Sequence, residues 1–242
     1  MNLIIDQGNT VTKVAVFKAD VLVETFLYEV FDTNVCASLL SIRAIDKCAF
    51  STVIDSSSEV LEYLRNKIPN FLFIDHKVGL PIKNNYRTPK TLGKDRLAAA
   101  VAANDIFPDK PVLVIDVGTA ITYELVDGNA NYMGGNISPG VSMRFKALNK
   151  FTDRLPLVDR FGELPALGYD TETAIRAGVI HGVVGEIKSY IMLLRGKYPE
   201  LRVILTGGHT RYIESQLDIE VFVDINLVLK GLNRILNYNV EA

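Results

Sequence analysis

Two stretches hold the residues best suited to chemistry. Near the start, DQGNTVTK runs from Asp6 to Lys13, and halfway along, DVGTAIT runs from Asp116 to Thr122. In the first, Gly8 lets the main chain approach a ligand with no Cβ in the way. Asn9, Thr10 and Thr12 can donate hydrogen bonds to phosphate oxygens, and Lys13 adds positive charge. Asp6 is a poor partner for bare phosphate but a good one for Mg²⁺, directly or through water, and Mg²⁺ usually arrives with nucleotide phosphates. In the second stretch Gly118, Thr119 and Thr122 repeat the offer, with Asp116 available for a cation. Two such hairpins facing one another would clamp a polyphosphate. Ordinary turn chemistry also favours Asp, Asn, Thr and Gly, so either hairpin alone is weak and their recurrence carries the weight. A third stretch, LTGGHTRY, ends a β-rich run in paired glycines that would let a flat base lie against main chain. The sequence contains neither GxxxxGK[ST] nor GxGxxG.

The elements that must position these runs repeat. NLIID and TKVAVF flank the first acidic turn as strands, with a third strand-like run from Val21 to Val30. Helical spacing through CASLLSIRAI, a strand at CAFSTVI, a serine-capped helix in SSSEVLEYLRNKI and a strand at FLFID follow. Residues 77–96 are rich in Pro, Gly and Asn without a period and read as a long loop, a kind often functional. DRLAAAVAANDIF is then an alanine-rich helix. Past Pro108 the order restarts, with strands around DVGT, a turn at Asp127 and Gly128, NYMGGNISPG, a helix-rich stretch containing TETAIRAGVIHGVVGEIKSYIMLLRGKY, the strand RVILTGG and a closing helix, LVLKGLNRILNYN. The chain therefore reads as an α/β protein with a duplicated unit, 1–108 and 109–242.

With 48% hydrophobic and 22% charged residues the chain can bury a substantial core, and its net charge of −2 supplies no basic field for nonspecific nucleic-acid binding. No helix-turn-helix or basic stripe is evident, which argues against direct DNA binding. Cys36 and Cys48 lack zinc-motif spacing and sit among apolar neighbours, as buried free thiols do. His76, His181 and His209 have no metal-ligand spacing. No charged leader precedes the first strand, and no apolar run approaches the roughly 20 residues of a bilayer span. A cytoplasmic protein is expected, with no membrane partner.

Together these motifs resemble the ATP-binding core of the acetate and sugar kinase, Hsp70 and actin superfamily, in which two ribonuclease-H-like domains clasp ATP in a cleft. YRTPKTLGKDR, DVGTAITYELVD, GGNISPGVSMRFKAL, TETAIRAG and LVLKGLNRIL narrow the resemblance to type III pantothenate kinase across essentially the whole chain. It implies transfer of the γ-phosphoryl group of ATP to pantothenate, the opening step of coenzyme A synthesis, with Mg²⁺, a monovalent cation (K⁺ or NH₄⁺) and a homodimer. It places ATP phosphates and Mg²⁺ against Asp6, Gln7, Gly8, Asn9, Thr10, Val11, Thr12 and Lys13, Thr119 on the nucleotide, and Asp116 at the monovalent cation. Gln7 departs from the small or apolar residue usual there.

For the acceptor, the resemblance makes Asp95 of GKDR the general base for the pantothenate hydroxyl, with Gly93 allowing close approach. An Asp before an alanine-rich helix is also a good N-cap. Arg96 suits the pantothenate carboxylate through its planar fork, against the plainer reading of a surface ion pair. Tyr86 and Thr171 match acceptor-site residues of the family, Thr171 in some members from the neighbouring subunit; packing and helix capping are their plainer roles. Lys94 sets a cation beside the base, directed to solvent or favouring the carboxylate's charged form. The same resemblance extends to accessory transcription factors, so a nucleotide-binding regulator is an alternative, as is a same-fold kinase for another small hydroxy acid.

Overall fold

A computed structural model describes residues 1–54 and 58–240. The chain runs β1 (Asn2–Gln7), β2 (Thr12–Lys18), β3 (Val21–Tyr28), α1 (Thr33–Ser41), β4 (Lys47–Thr52), α2 (Ser58–Lys67), β5 (Asn70–Phe73), β6 (Lys83–Asn84) and α3 (Lys94–Ile106). It continues β7 (Val112–Val117), β8 (Ala120–Val126), β9 (Asn131–Pro139), α4 (Val141–Lys150), α5 (Thr171–Lys197), β10 (Arg202–Thr206), α6 (Thr210–Glu214), β11 (Phe222–Val223) and α7 (Leu227–Val240). The serine cap expected before α2 lies outside the described residues at Ser56 and Ser57. The loop expected over 77–96 is broken by β6 and by a 3₁₀ turn at Pro89–Thr91, and α3 already starts at Lys94.

The chain divides into two units, Met1–Pro108 with Ala130–Met133 and the segment from Asn226, and Asp109–Asn129 with Gly134–Ile225. The sequence reading ran the second half through to 242; in the structure the closing helix groups with the first unit instead. The reason is local packing. α7 lies along α3, so closely that a Cβ on Gly231 would stand 1.8 Å from the Ala98 carbonyl oxygen. The alanines of α3 and this glycine together let the two backbones meet.

In the first unit the sheet order is β3-β2-β1-β4-β5, with β1, β2 and β3 antiparallel neighbours and β4 and β5 parallel to β1. The continuous apolar run of β1 follows from burial on both faces. Leu3 and Ile5 join a cluster with Cys36, Leu39, Val60 and Leu64 of α1 and α2. Asn2 and Ile4 point the other way, where the Asn2 amide donates to Asn233 Oδ1 (2.8 Å) and Asn237 Oδ1 (3.0 Å) of α7. Asp6 shares that second face by the strand's period of two. Cys36 and Cys48 are buried free thiols, and burial pushes the Cys36 thiol up to about 12.

The second unit repeats the plan as β9-β8-β7-β10-β11, with β7 and β8 antiparallel and β10 and β11 parallel to β7. Strand for strand this is the first unit's order, which is what a duplicated fold requires. Leu113, Ile115 and Val117 of β7 pack with Ile180, Val183, Ile187 and Ile191 of α5. The first residues of β9 belong to the first unit, where Asn131 and Tyr132 pair with Lys83 and Asn84.

α5 corrects one expectation. Among the described residues this helix is long and apolar enough, by length and composition, to cross a membrane. Its isoleucines and valines recur every three or four residues and are buried in the second unit's core, the pattern of a packed helix.

Candidate active site

The β1–β2 hairpin closes over four residues, with Asp6 opposite Lys13 and Gln7 opposite Thr12. The Gly8 N–H donates to Val11 O at 3.1 Å. Asn9 and Thr10 are exposed at the tip, Gly8 and Val11 half-buried, while Thr12 is only 4% exposed and so turned inward. The first two thus hold the presentable donors. Gln7 is accounted for by β4: Thr52 Oγ1 donates to its Oε1 at 3.2 Å, and Val53 N–H donates to its carbonyl oxygen at 3.1 Å. The large side chain braces the hairpin's root against the strand beside it.

Asp6 lies near the end of β1 on the face that meets α7, and Asp95 lies in the first turn of α3, so strand period and helix start bring two carboxylates together. Burial, then the charge of Asp95, push the Asp6 carboxyl up to about 6, against the pull of Lys13 and the Ser51 hydroxyl. Ser51, opposite Asp6 on β4, is fully buried, and its hydroxyl is directed at the Asp6 carboxyl. A raised carboxyl beside a second carboxylate fits a divalent cation that brings its remaining ligands with it. Among the described residues no group of three or more His, Cys, Asp or Glu could hold a metal ion unaided, and Mg²⁺ bound by one or two carboxylates completes its octahedron with water and phosphate.

Asp95 is not the helix cap. Gly93 takes that position, without a side-chain bond, and Asp95 lies within the first turn. Its Oδ1 accepts the Arg96 N–H at 2.8 Å and folds back over Gly93, where a Cβ would stand 2.5 Å from it. Gly93 is therefore needed for the carboxylate's pose. Arg96 is 7% exposed rather than a surface cation. Its guanidinium lies over the Tyr86 ring at 5.8 Å, and Tyr86 contacts Tyr132 at 6.1 Å between centroids. The structure thus gathers Tyr86, Gly93, Asp95 and Arg96 into one patch of the first unit, with Lys94 half-buried beside them.

In the second unit Asp116 opposes Thr122, and Gly118 N–H donates to Ala120 O at 3.1 Å. Thr119 is exposed at the tip. Two glycines hold this hairpin from outside it. Gly140 N–H donates to Thr119 O at 3.1 Å, and a Cβ there would stand 2.2 Å from that oxygen. Gly207, at φ +98°, leaves no room for a Cβ beside Asp116 Oδ1 (2.3 Å) or Val117 C (2.7 Å). So the first glycine of LTGGHTRY serves the backbone of β7, while nothing within 4 Å opposes a Cβ on Gly208. Gly118 and Gly207 thus both leave room beside Asp116 Oδ1 that a side chain would fill.

Thr171 is the first residue of α5, and the cap is Asp170. Asp170 Oδ1 accepts Thr173 N–H at 2.8 Å, and these bonds with Thr173 hold its carboxyl below the usual range. Thr171 is left exposed, and it lines a cavity with Arg144, Leu148, Leu155, Ala174 and Gly178. Sequence reasoning missed three groups here: Arg144, Glu186 and the half-buried His209. His209 Nε2 lies 3.3 Å from Ser142 Oγ, and burial, with Arg160 nearby, lowers its pKa.

A family model described as type III pantothenate kinase matches residues 2–192. The chain belongs to the type III pantothenate kinase family. A type III pantothenate kinase of Bacteroides fragilis is 54% identical, covering 99% of this chain and 98% of the relative. That of Porphyromonas gingivalis is 42% identical, covering 99% of both. A Campylobacter jejuni structure described as a Baf family transcriptional activator superposes with TM-score 0.65 at 22% identity, covering 99% of this chain and 100% of that one. The activator of 2-hydroxyisocaproyl-CoA dehydratase from Clostridium difficile gives 0.55 at 14% identity, covering 99% and 96%. These two likenesses concern the fold, which is the two-unit actin-like ATPase fold with α/β mixed sheets.

Proposed function

We infer that this chain transfers the γ-phosphoryl group of ATP to the hydroxyl of pantothenate, giving ADP and 4'-phosphopantothenate, the first step of coenzyme A synthesis. As a member of its family it is an ATP-dependent pantothenate kinase. The residue roles are our reading, and the observation that carries them is the pairing of Asp6 with Asp95 in one unit. Asp6 to Lys13 receive the phosphates, the Gly8–Thr10 tip by main chain and side chains. Asp95 accepts the proton as the hydroxyl oxygen attacks the γ-phosphorus and the bond to the departing ADP oxygen breaks. Arg96, buried and stacked on Tyr86, pairs with the acceptor's carboxylate, and Thr171 contributes a hydroxyl to the acceptor.

Mg²⁺ held by Asp6 would neutralise phosphate charge in this scheme. Thr119 contacts the nucleotide, and Asp116 takes K⁺ or NH₄⁺. We further propose a homodimer acting in the cytoplasm without nucleic-acid or membrane partners; the apolar Met192 and Leu193 exposed on α5 support a protein interface.

ADP release from the purified protein with ATP, Mg²⁺ and K⁺ tests the reading, with and without pantothenate and again with Na⁺ for K⁺. Pantothenate-dependent turnover that requires K⁺ is expected. ATP binding without that turnover moves the weight to another hydroxy acid or to a nucleotide-binding regulator.

A further inference from the structure

We propose that Glu186 is a positioning residue for the nucleotide, fixing the Gly118–Thr119 tip through Arg144 and the Ser138–Gly140 junction of β9 with α4. The inference rests on the reading that Thr119 contacts the nucleotide.

Glu186 lies midway along α5, in a stretch from Val179 to Ile191 whose buried side chains are all aliphatic. Its Oε1 accepts Tyr123 Oη–H at 2.7 Å and Ser138 Oγ–H at 2.5 Å, and its Oε2 accepts Arg144 Nη2–H at 2.5 Å. Burial opposes its charge, yet the bonds from Ser138, Arg144 and Tyr123 outweigh it and hold the carboxyl below its ordinary value. An apolar residue would serve packing as well, and a partly buried ion pair adds little net stability after desolvation. What the pair supplies is direction.

Arg144 passes that direction on. Its Nε donates to Pro139 O at 2.8 Å, and its Nη2 also reaches Ser138 Oγ at 3.4 Å. Two successive residues at the end of β9 are thereby tied to one carboxylate. The next residue is Gly140, whose N–H bonds Thr119 O at 3.1 Å and whose missing Cβ leaves that oxygen just enough room. Glu186, Arg144, Ser138–Pro139, Gly140 and Thr119 form one continuous chain of contacts, all within the second unit. A rigid tip presents its donors to phosphate without first having to be ordered.

The test is a double-mutant cycle of Glu186→Gln and Thr119→Val in the full-length chain. ATP dissociation is read with a fluorescent ATP analogue, and KM for ATP and for pantothenate with the ADP-release assay. Each single change is expected to weaken nucleotide binding about tenfold, the worth of one charge-assisted hydrogen bond. The double variant should lose little more than either single one, because both act at one contact. Hydrogen exchange at the Gly140 amide should quicken in Glu186→Gln while the β7 and β10 amides keep their protection, which general destabilisation would not produce. Additive losses, or unchanged Gly140 exchange, overturn the proposal and leave Thr119 on the nucleotide. Normal ATP affinity in Thr119→Val overturns that underlying reading, and the proposal with it. If Glu186→Gln does not fold, Ser138→Ala removes one link of the same chain and should shift ATP affinity in the same direction by a smaller factor; no shift there also overturns the proposal.

Discussion

The β1–β2 hairpin leaves Asn9 and Thr10 exposed over an internal Gly8–Val11 bond, whereas the β7–β8 hairpin is gripped from outside by Gly140 and Gly207. Both begin from a strand-end Asp, a Gly and a Thr on the same sheet position of a repeated fold. The first keeps its acid beside a second carboxylate, so that charge is held at a cost. The second encloses its acid in glycine backbone. The repeated scaffold is the same, and the surroundings differ; on the proposed reading, reaction falls to one hairpin and grip to the other.

The largest effect that tests this division is at Asp95. Asp95→Asn should lower turnover about 10²- to 10⁴-fold, the usual contribution of a general base, with nucleotide affinity and the circular-dichroism spectrum retained. Turnover near the parent level would remove the base and, with it, the reason for placing the reaction at the first hairpin.

Glycine replacements should separate the hairpins by kind of damage. Gly140→Ala forces a methyl group onto the Thr119 carbonyl and should cost about 2 kcal/mol or more in urea unfolding, within the range for overpacked sites. Gly8→Ala meets only Val11 O at 3.1 Å, so its unfolding midpoint should move little while the KM for ATP rises. The same loss of stability in both would mean that the first hairpin is as locked as the second.

Asp6→Asn sharpens the contrast through pH. The folded carboxyl titrates at about 6 against a reference of 3.8, so between these values the folded state binds more protons than the unfolded one. The Asp6 contribution to the stability of the ligand-free protein therefore falls as pH rises across that window. Asp6→Asn should remove that contribution and gain on the order of 2 kcal/mol at pH 8, while losing Mg²⁺-dependent turnover. Thermal unfolding at pH 4, 6 and 8 without ligand measures it; an unchanged slope would show that Asp6 is not the group under strain.

The smallest expected change is at the hairpin's root. Thr52→Val removes the hydroxyl that holds Gln7 and should cost about 1 kcal/mol, with under a threefold rise in the KM for ATP. A larger kinetic effect would place Gln7 among the groups that touch the nucleotide.

Much of this was legible in the sequence because it is written locally. Strand runs around an Asp-Gly-Thr turn declare a hairpin, and repeating them declares a repeated fold. Asp95 with Arg96 at a helix start is likewise a local signal, although the cap proved to be Gly93, since a glycine's backbone role leaves no side-chain mark. The allegiance of α7 to the first unit was not legible, because contiguity along the chain suggests the second, and the fit of Gly231 on Ala98 and the Asn2 bonds to Asn233 and Asn237 join residues far apart in sequence. Nor was Glu186 with Arg144: they stand 42 residues apart, and a charged residue on an apolar helix reads as an exposed position until its partners are seen.

The return of α7 also sets an order of assembly. A nascent chain has the β1–β5 sheet and α3 long before it has Asn233, Asn237 and Gly231 to cover them, so the face that carries Asp6 stays wet while the intervening unit is synthesised. The sheet around β7 can close first, and the half bearing Asp6 and Asp95 matures later. On the ribosome, as in any refolding reaction, acquisition of activity should lag behind acquisition of most of the strand and helix content.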